Sequence, residues 1–185
     1  MAPPPPPMAT VVIAGSDVAD TQLVSGSSTT YGDAQTLLWD GPLHAGDWIL
    51  VRPSLDLLSA ADTILSATLE YYNFNSGDAA EVFECTSAWD EATVTYGTLQ
   101  GGSPYSSTAH GTRVGSASGG SGAQTLDVTS SIHRWLADPT SNHGWIFVPT
   151  GGNNGVEFYS SEYTGPEVRT CGDRRMHPRE NAARR

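Results

Sequence analysis

This chain has no lysine, only two cysteines among 185 residues, and no apolar run near the roughly 18 residues of a membrane-crossing helix. Each shortage excludes something. Cys85 and Cys171 are too few for a disulfide framework, and Cys85, in an apolar stretch, reads as a small buried hydrophobe. The missing lysines leave all positive charge to nine arginines, and six of these follow Val168 against only two carboxylates, Asp173 and Glu180. The end of the chain therefore carries a surplus of four positive charges, and the net charge of −11 becomes −15 on the rest. So acidic a body excludes nucleic acid as the main partner, because phosphate contacts need a basic surface. Catalytic patterns are also lacking. The five histidines show no metal-ligand spacing, no serine elbow is present, and the glycine run from Gly115 to Gly122 has neither the Lys nor the helix start of a phosphate loop. No enzymatic activity is expected.

What remains is the composition of a β-sandwich: 20 glycines, abundant Ser and Thr, and short apolar runs broken about every ten residues. The length suits one domain. Residues 1–9 read as a proline-rich arm in an extended polyproline conformation, residues 10–170 as the sandwich, and residues 171–185 as a basic tail. The opening MAPPPPPMAT has neither the basic nor the apolar region of a secretory signal, so ordinary export is not expected.

Strands are expected at Thr10–Ala14, Gln35–Trp39, Trp48–Leu55, Ile64–Phe74, Val82–Thr86, Trp145–Val148 and Val156–Tyr159. Pro53 marks the third as an edge or a bulge. The segment SAWDEATVTY (Ser87 to Tyr96) reads as a polar corner, Trp89-Asp90-Glu91, leading into a half-buried strand Thr93–Tyr96. Leu99 to Gly122 reads as one long Gly/Ser loop. The single expected helix, near 130–137, is capped by Thr129 or Ser130, shows Ile132, Trp135 and Leu136 at i, i+3 and i+4, and stops at Asp138-Pro139.

Eight short pieces, in order, resemble a known family: ADT (Ala19 to Thr21), YG (Tyr31, Gly32), VR (Val51, Arg52), SATLEYY (Ser66 to Tyr72), WDEATVTY (Trp89 to Tyr96), LDVTSSIHRWL (Leu126 to Leu136), NHGWIF (Asn142 to Phe147) and FYSSEY (Phe158 to Tyr163). This order is similar to the DNRLRE-type domain, which is related to disaggregatase repeats and to a carbohydrate-binding-module family. The resemblance implies an antiparallel two-sheet, jelly-roll-like sandwich, non-catalytic and in some members a polysaccharide binder. The chain departs from it after the Tyr-rich motif, where relatives place a final apolar strand and Cys171 to Arg185 is charged and basic.

Trp89 and Trp135 fall at family positions with a structural role, and Trp39 and Trp145 alternate with aliphatic neighbours as core residues do. Asp90 and Glu91, adjacent on an extended chain, point apart and make a poor acid/base pair. A structural corner is expected from Arg52, Trp89, Glu91, Trp135 and Glu162, with Glu91 or Glu162 answering Arg52 or backbone donors, because buried carboxylates need partners. Trp48, Tyr105 and Tyr163 are the candidates for an exposed aromatic platform that stacks on a sugar ring or an apolar partner. No cofactor is expected; the one place for a structural Ca²⁺ is the set of oxygen-rich loops near Asp17, Asp20 and Asp33. The functional expectation is an accessory protein, of decoration or fibre type, in an assembly such as a bacteriophage virion. Its contacts run through the termini, glycan-binding ability accompanies them, and the location is extracellular or on a virion surface. The alternative is a carbohydrate-binding module of a secreted or cell-surface polysaccharide-active protein.

Overall fold

A computed structural model describes residues 9–42, 46–99 and 110–165. The proline arm, His44, Tyr105, Cys171 and the basic tail, with the expectations placed on them, lie outside the described residues. Among the described residues nine strands form two antiparallel sheets: β1 (Val18–Leu23), β2 (Thr36–Trp39), β3 (Trp48–Pro53), β4 (Thr68–Asn75), β5 (Ala80–Cys85), β6 (His110–Ala117), β7 (Gly122–Asp127), β8 (Trp145–Pro149) and β9 (Val156–Tyr159). One sheet has the order β1-β3-β8-β5-β6 and the other β2-β9-β4-β7, so successive strands switch sheets at every connection except β5 to β6. The two-sheet, all-β architecture expected from the sequence is what the chain forms.

Between the sheets, alternate residues of each strand meet. Trp39, Tyr71, Phe147 and Phe158 form an aromatic cluster with centroids 5.5 to 6.1 Å apart for Trp39 with each of the others, offset or edge-on as ring quadrupoles prefer. The helix α1 (Thr129–Ala137) closes one end of this core, burying Ile132 and setting Trp135 against Trp145 at 4.9 Å. Its N-terminus is organised from one residue further back than expected: Val128 is the cap residue, and Asp127 Oδ1 accepts from the Thr129 N–H and hydroxyl.

A second core lies on the outer face of the five-stranded sheet. Segment 86–99 folds over it and buries Trp48, Leu50, Ile146 and Val148 beneath Trp89, Val94 and Leu99. That cover explains why β3 and β8 are apolar on both faces, TLLW-like alternation being replaced by continuous runs such as WILV and WIFV.

Five local expectations are corrected. Thr10–Ala14 forms no strand; the first is Val18–Leu23, which contains the ADT motif. Thr93–Tyr96 is a pair of turns, because the Asp90 carbonyl takes the N–H groups of Thr93 and Val94 while Asp90 Oδ1 takes those of Ala92 and the Thr93 hydroxyl. Local side-chain acceptors there outcompete a ladder. Pro53 ends a central strand, paired with Val18 at the last rung of β3, where a missing N–H costs nothing inside the sheet. The fourth strand starts at Thr68, four residues later than expected. Finally, part of the Gly/Ser stretch is β6, an edge strand on β5. At Gly115 a Cβ would lie 2.8 Å from Leu126 Cδ1 in the facing sheet, so a larger residue there would make that leucine's tip shift.

At the NHGW turn before β8 the backbone passes close against β3. Gly144 has φ +75°, and a Cβ on it would run into the Val51 carbonyl and sit 2.7 Å from Arg52 Cβ. Gly144→Ala is expected to cost more than about 2 kcal/mol, since the left-handed conformation alone costs roughly 1–2. Urea unfolding checks this; an unchanged midpoint would mean the turn can move away from β3.

Candidate functional site

Two groups of side chains meet at the loop that follows β9. The first is a carboxylate cluster. Asp20 sits on β1 with its side chain on the inner face at the margin of the sandwich, retaining 4% of its exposure. Its N–H points away from β3 and is taken by Glu91 Oε1 at 2.6 Å, so a side chain supplies at this sheet edge what another strand would. Its Oδ2 accepts from the Ser161 N–H at 2.8 Å. Glu162 follows immediately, and carboxylate oxygens of Asp20, Glu91 and Glu162 lie within 4.8 Å of one another. Ser161 Oγ is 3.0 Å from the Val18 carbonyl and 2.7 Å from Glu162 Oε1, which fixes the loop against β1. Gly32 makes room for the corner, since a Cβ there would sit 2.6 Å from Glu91 Cγ.

The electrostatics follow from burial. Desolvation pushes the Asp20 carboxyl up to about 8; the Ser161 N–H works against it, and the charges of Glu162 and Glu91 add to it. Glu91 is also raised, first by burial, against the Asp20 N–H and the Arg52 charge, and with Glu162 and Asp33 adding repulsion. Arg52 does not pair with a carboxylate at this corner. Its Nη1 donates to the Trp89 carbonyl at 2.8 Å, and its guanidinium lies 4.6 Å from the centre of the Trp89 ring. Trp89 Nε1 in turn donates to the His143 carbonyl at 2.8 Å, tying the corner to the NHGW turn.

Of the expected corner residues, the structure brings Arg52, Trp89, Glu91 and Glu162 together around β1. Trp135 lies elsewhere, under the helix, against Trp145. Asp90 and Glu91 do diverge, Asp90 capping its own turn and Glu91 reaching Asp20. The cluster contains Asp20 but neither Asp17 nor Asp33. Its other members, Glu91 and Glu162, were expected in the structural corner as acids answering Arg52 or backbone donors, not as partners of Asp20.

The second group is aromatic. Outward residues of β4 and β9 place Tyr72 5.9 Å and Phe74 4.7 Å from Tyr159, and the loop lays Tyr163 over Tyr159 at 3.8 Å. Phe74 is 39% exposed, and the three tyrosines are half-buried, so the strip presents ring faces and edges on the outside of the four-stranded sheet. Beside it Asn75 Nδ2 donates to Glu157 Oε2 at 3.2 Å.

Trp48 is not part of any platform. It is fully buried, packed against His110 at 5.5 Å and Tyr96 at 6.3 Å beneath segment 86–99. The polar turn that precedes it suggested exposure; the cover comes from residues some fifty positions later, a non-local contact no local pattern announces. Tyr72, Phe74 and Tyr159 were missed as site residues, although β4's alternation already put Tyr72 on the face opposite Tyr71.

Comparison of the sequence with protein-family models finds no match, and comparison with curated proteins finds none.

Trp89 joins a buried ring, a carbonyl that holds Arg52 and an indole N–H that holds the NHGW turn. Trp89→Ala is expected to destabilise the fold by about 3–5 kcal/mol, the range for truncating a buried large aromatic. A thermal melt within a degree or two of wild type would show that segment 86–99 is not held through this residue.

Proposed function

We propose that this chain is a non-catalytic carbohydrate-binding β-sandwich acting outside the cell or on a virion surface, with the strip Tyr72, Phe74, Tyr159 and Tyr163 as its glycan platform. The observation that carries this is the set of four aromatic rings gathered on the outer face of one sheet. A ring with an apolar face and, in tyrosine, a polar tip suits a pyranose, whose C–H face stacks while its hydroxyls bond to neighbours such as Asn75 and Glu157. An extended strip on a flat sheet face suits a polymer better than an enclosed small molecule. The resemblance to DNRLRE-type domains supports the same reading.

A role as an assembly component rests on the arm and the basic tail, outside the described residues; the strip belongs to the fold itself. Catalysis is not part of the proposal. Asp90 and Glu91 point apart, and Glu91 spends an oxygen on the backbone of β1.

Affinity electrophoresis against neutral and acidic polysaccharides tests the reading. At least one polymer is expected to retard the wild-type chain, with Tyr159→Ala and Tyr163→Ala each weakening retention about 3- to 10-fold, given roughly 0.5–1.5 kcal/mol per aromatic stack. Retardation unaffected by either substitution, or none with any polymer, would overturn it.

A further inference from the structure

Asp20 is nine-tenths buried, yet its Oδ1 has no hydrogen-bond partner among the described residues; the same holds for Glu162 Oε2. Both groups belong to the cluster with Glu91, where two half-buried carboxylates leave a route to solvent. A buried acceptor without a donor costs roughly 1–3 kcal/mol, more when charged, and is tolerated where something else satisfies it. The groups around it supply more acceptors and little positive charge. Ser161 N–H already bonds the other Asp20 oxygen, and Arg52 is engaged by Trp89. Three carboxylates against one nearby guanidinium leave a deficit of two positive charges.

We propose that Asp20, Glu91 and Glu162 bind a divalent cation, Ca²⁺ by preference, which locks the loop Ser160–Tyr163 onto β1. Oxygens within 4.8 Å of one another can share a Ca²⁺ at roughly 2.3–2.6 Å from each, on opposite or adjacent sides of the ion. Waters entering past Glu91 complete the six to eight oxygens that Ca²⁺ takes, whereas Mg²⁺ asks for a tighter octahedron. The ion joins the two sheets at one margin, because Asp20 belongs to one and the loop continues a strand of the other. It also fixes the segment that carries Tyr163, but the site stands whether or not the aromatic strip binds glycan.

The test uses the full chain, stripped with EDTA and titrated with CaCl₂ by calorimetry at about pH 7.5, with thermal melts in parallel. One site per chain is expected, with a Kd below roughly 1 mM as in extracellular Ca²⁺ modules, a higher Tm with Ca²⁺, and a smaller rise with Mg²⁺. Glu162→Gln and Asp20→Asn are each expected to weaken binding at least tenfold, while Glu81→Gln, paired with Arg113 at the far side of the five-stranded sheet from β1, leaves it unchanged. If Asp20→Asn does not fold, the half-buried Glu162→Gln decides. Absence of heat and of any Tm change up to about 10 mM Ca²⁺, or a Glu162→Gln chain that titrates like wild type, would overturn the proposal and leave the carboxylates sharing a proton.

Discussion

The structure depends on how one buried carboxylate, Asp20, is held at the margin of the sandwich. Through its N–H it takes the side chain of Glu91 and through its Oδ2 the backbone of Ser161, so three segments distant in sequence converge on one residue. β1 is thereby closed along the edge that does not face β3. The segment after β5 is pulled over the outer face of the sheet, and the segment after β9 is pulled onto its side. Charge is expensive in such a place, and burial does raise the Asp20 carboxyl. The arrangement persists because the same contacts anchor a second apolar core that the sandwich alone would not have.

That second core changes what the fold can present. A five-stranded sheet with both faces covered offers no aromatic to solvent from β3, and Trp48 is the casualty of that cover. Among the described residues no such segment covers the outer face of the four-stranded sheet, and aromatics collect there, on β4, β9 and the loop behind Asp20. The carboxylate cluster and the aromatic strip are neighbours along the chain, Glu162 and Tyr163 being consecutive. A group that orders one orders the other.

The two-sheet class, the positions of β2, β3, β5, β8 and β9, and the single helix were legible in the sequence because each is a local pattern: apolar runs between turn residues, and one i, i+3, i+4 spacing. What was not legible depended on non-local partners. β6 is poor in β-formers and exists because β5 offers it a ladder. Thr93 to Tyr96 alternate as a strand does, yet among the described residues no strand pairs with them and the Asp90 acceptors turn the chain instead. The carboxylate cluster draws one acid from each of three segments, and its spacing in sequence, from Asp20 to Glu91 to Glu162, carries no signature. The expected corner set Glu91 of WDEATVTY with Glu162 of FYSSEY; what it did not reveal is that both meet Asp20 of ADT.

Amide hydrogen exchange followed residue by residue tests the convergence on Asp20 most directly. The amides of Asp20 and Ser161, each donated to a carboxylate at the sandwich margin, are predicted to exchange as slowly as those of the central strands β3 and β8, opening only with global unfolding. Exchange of either amide at the rate of an exposed loop would contradict the account, because the edge of β1 and the loop after β9 would then open independently of the core.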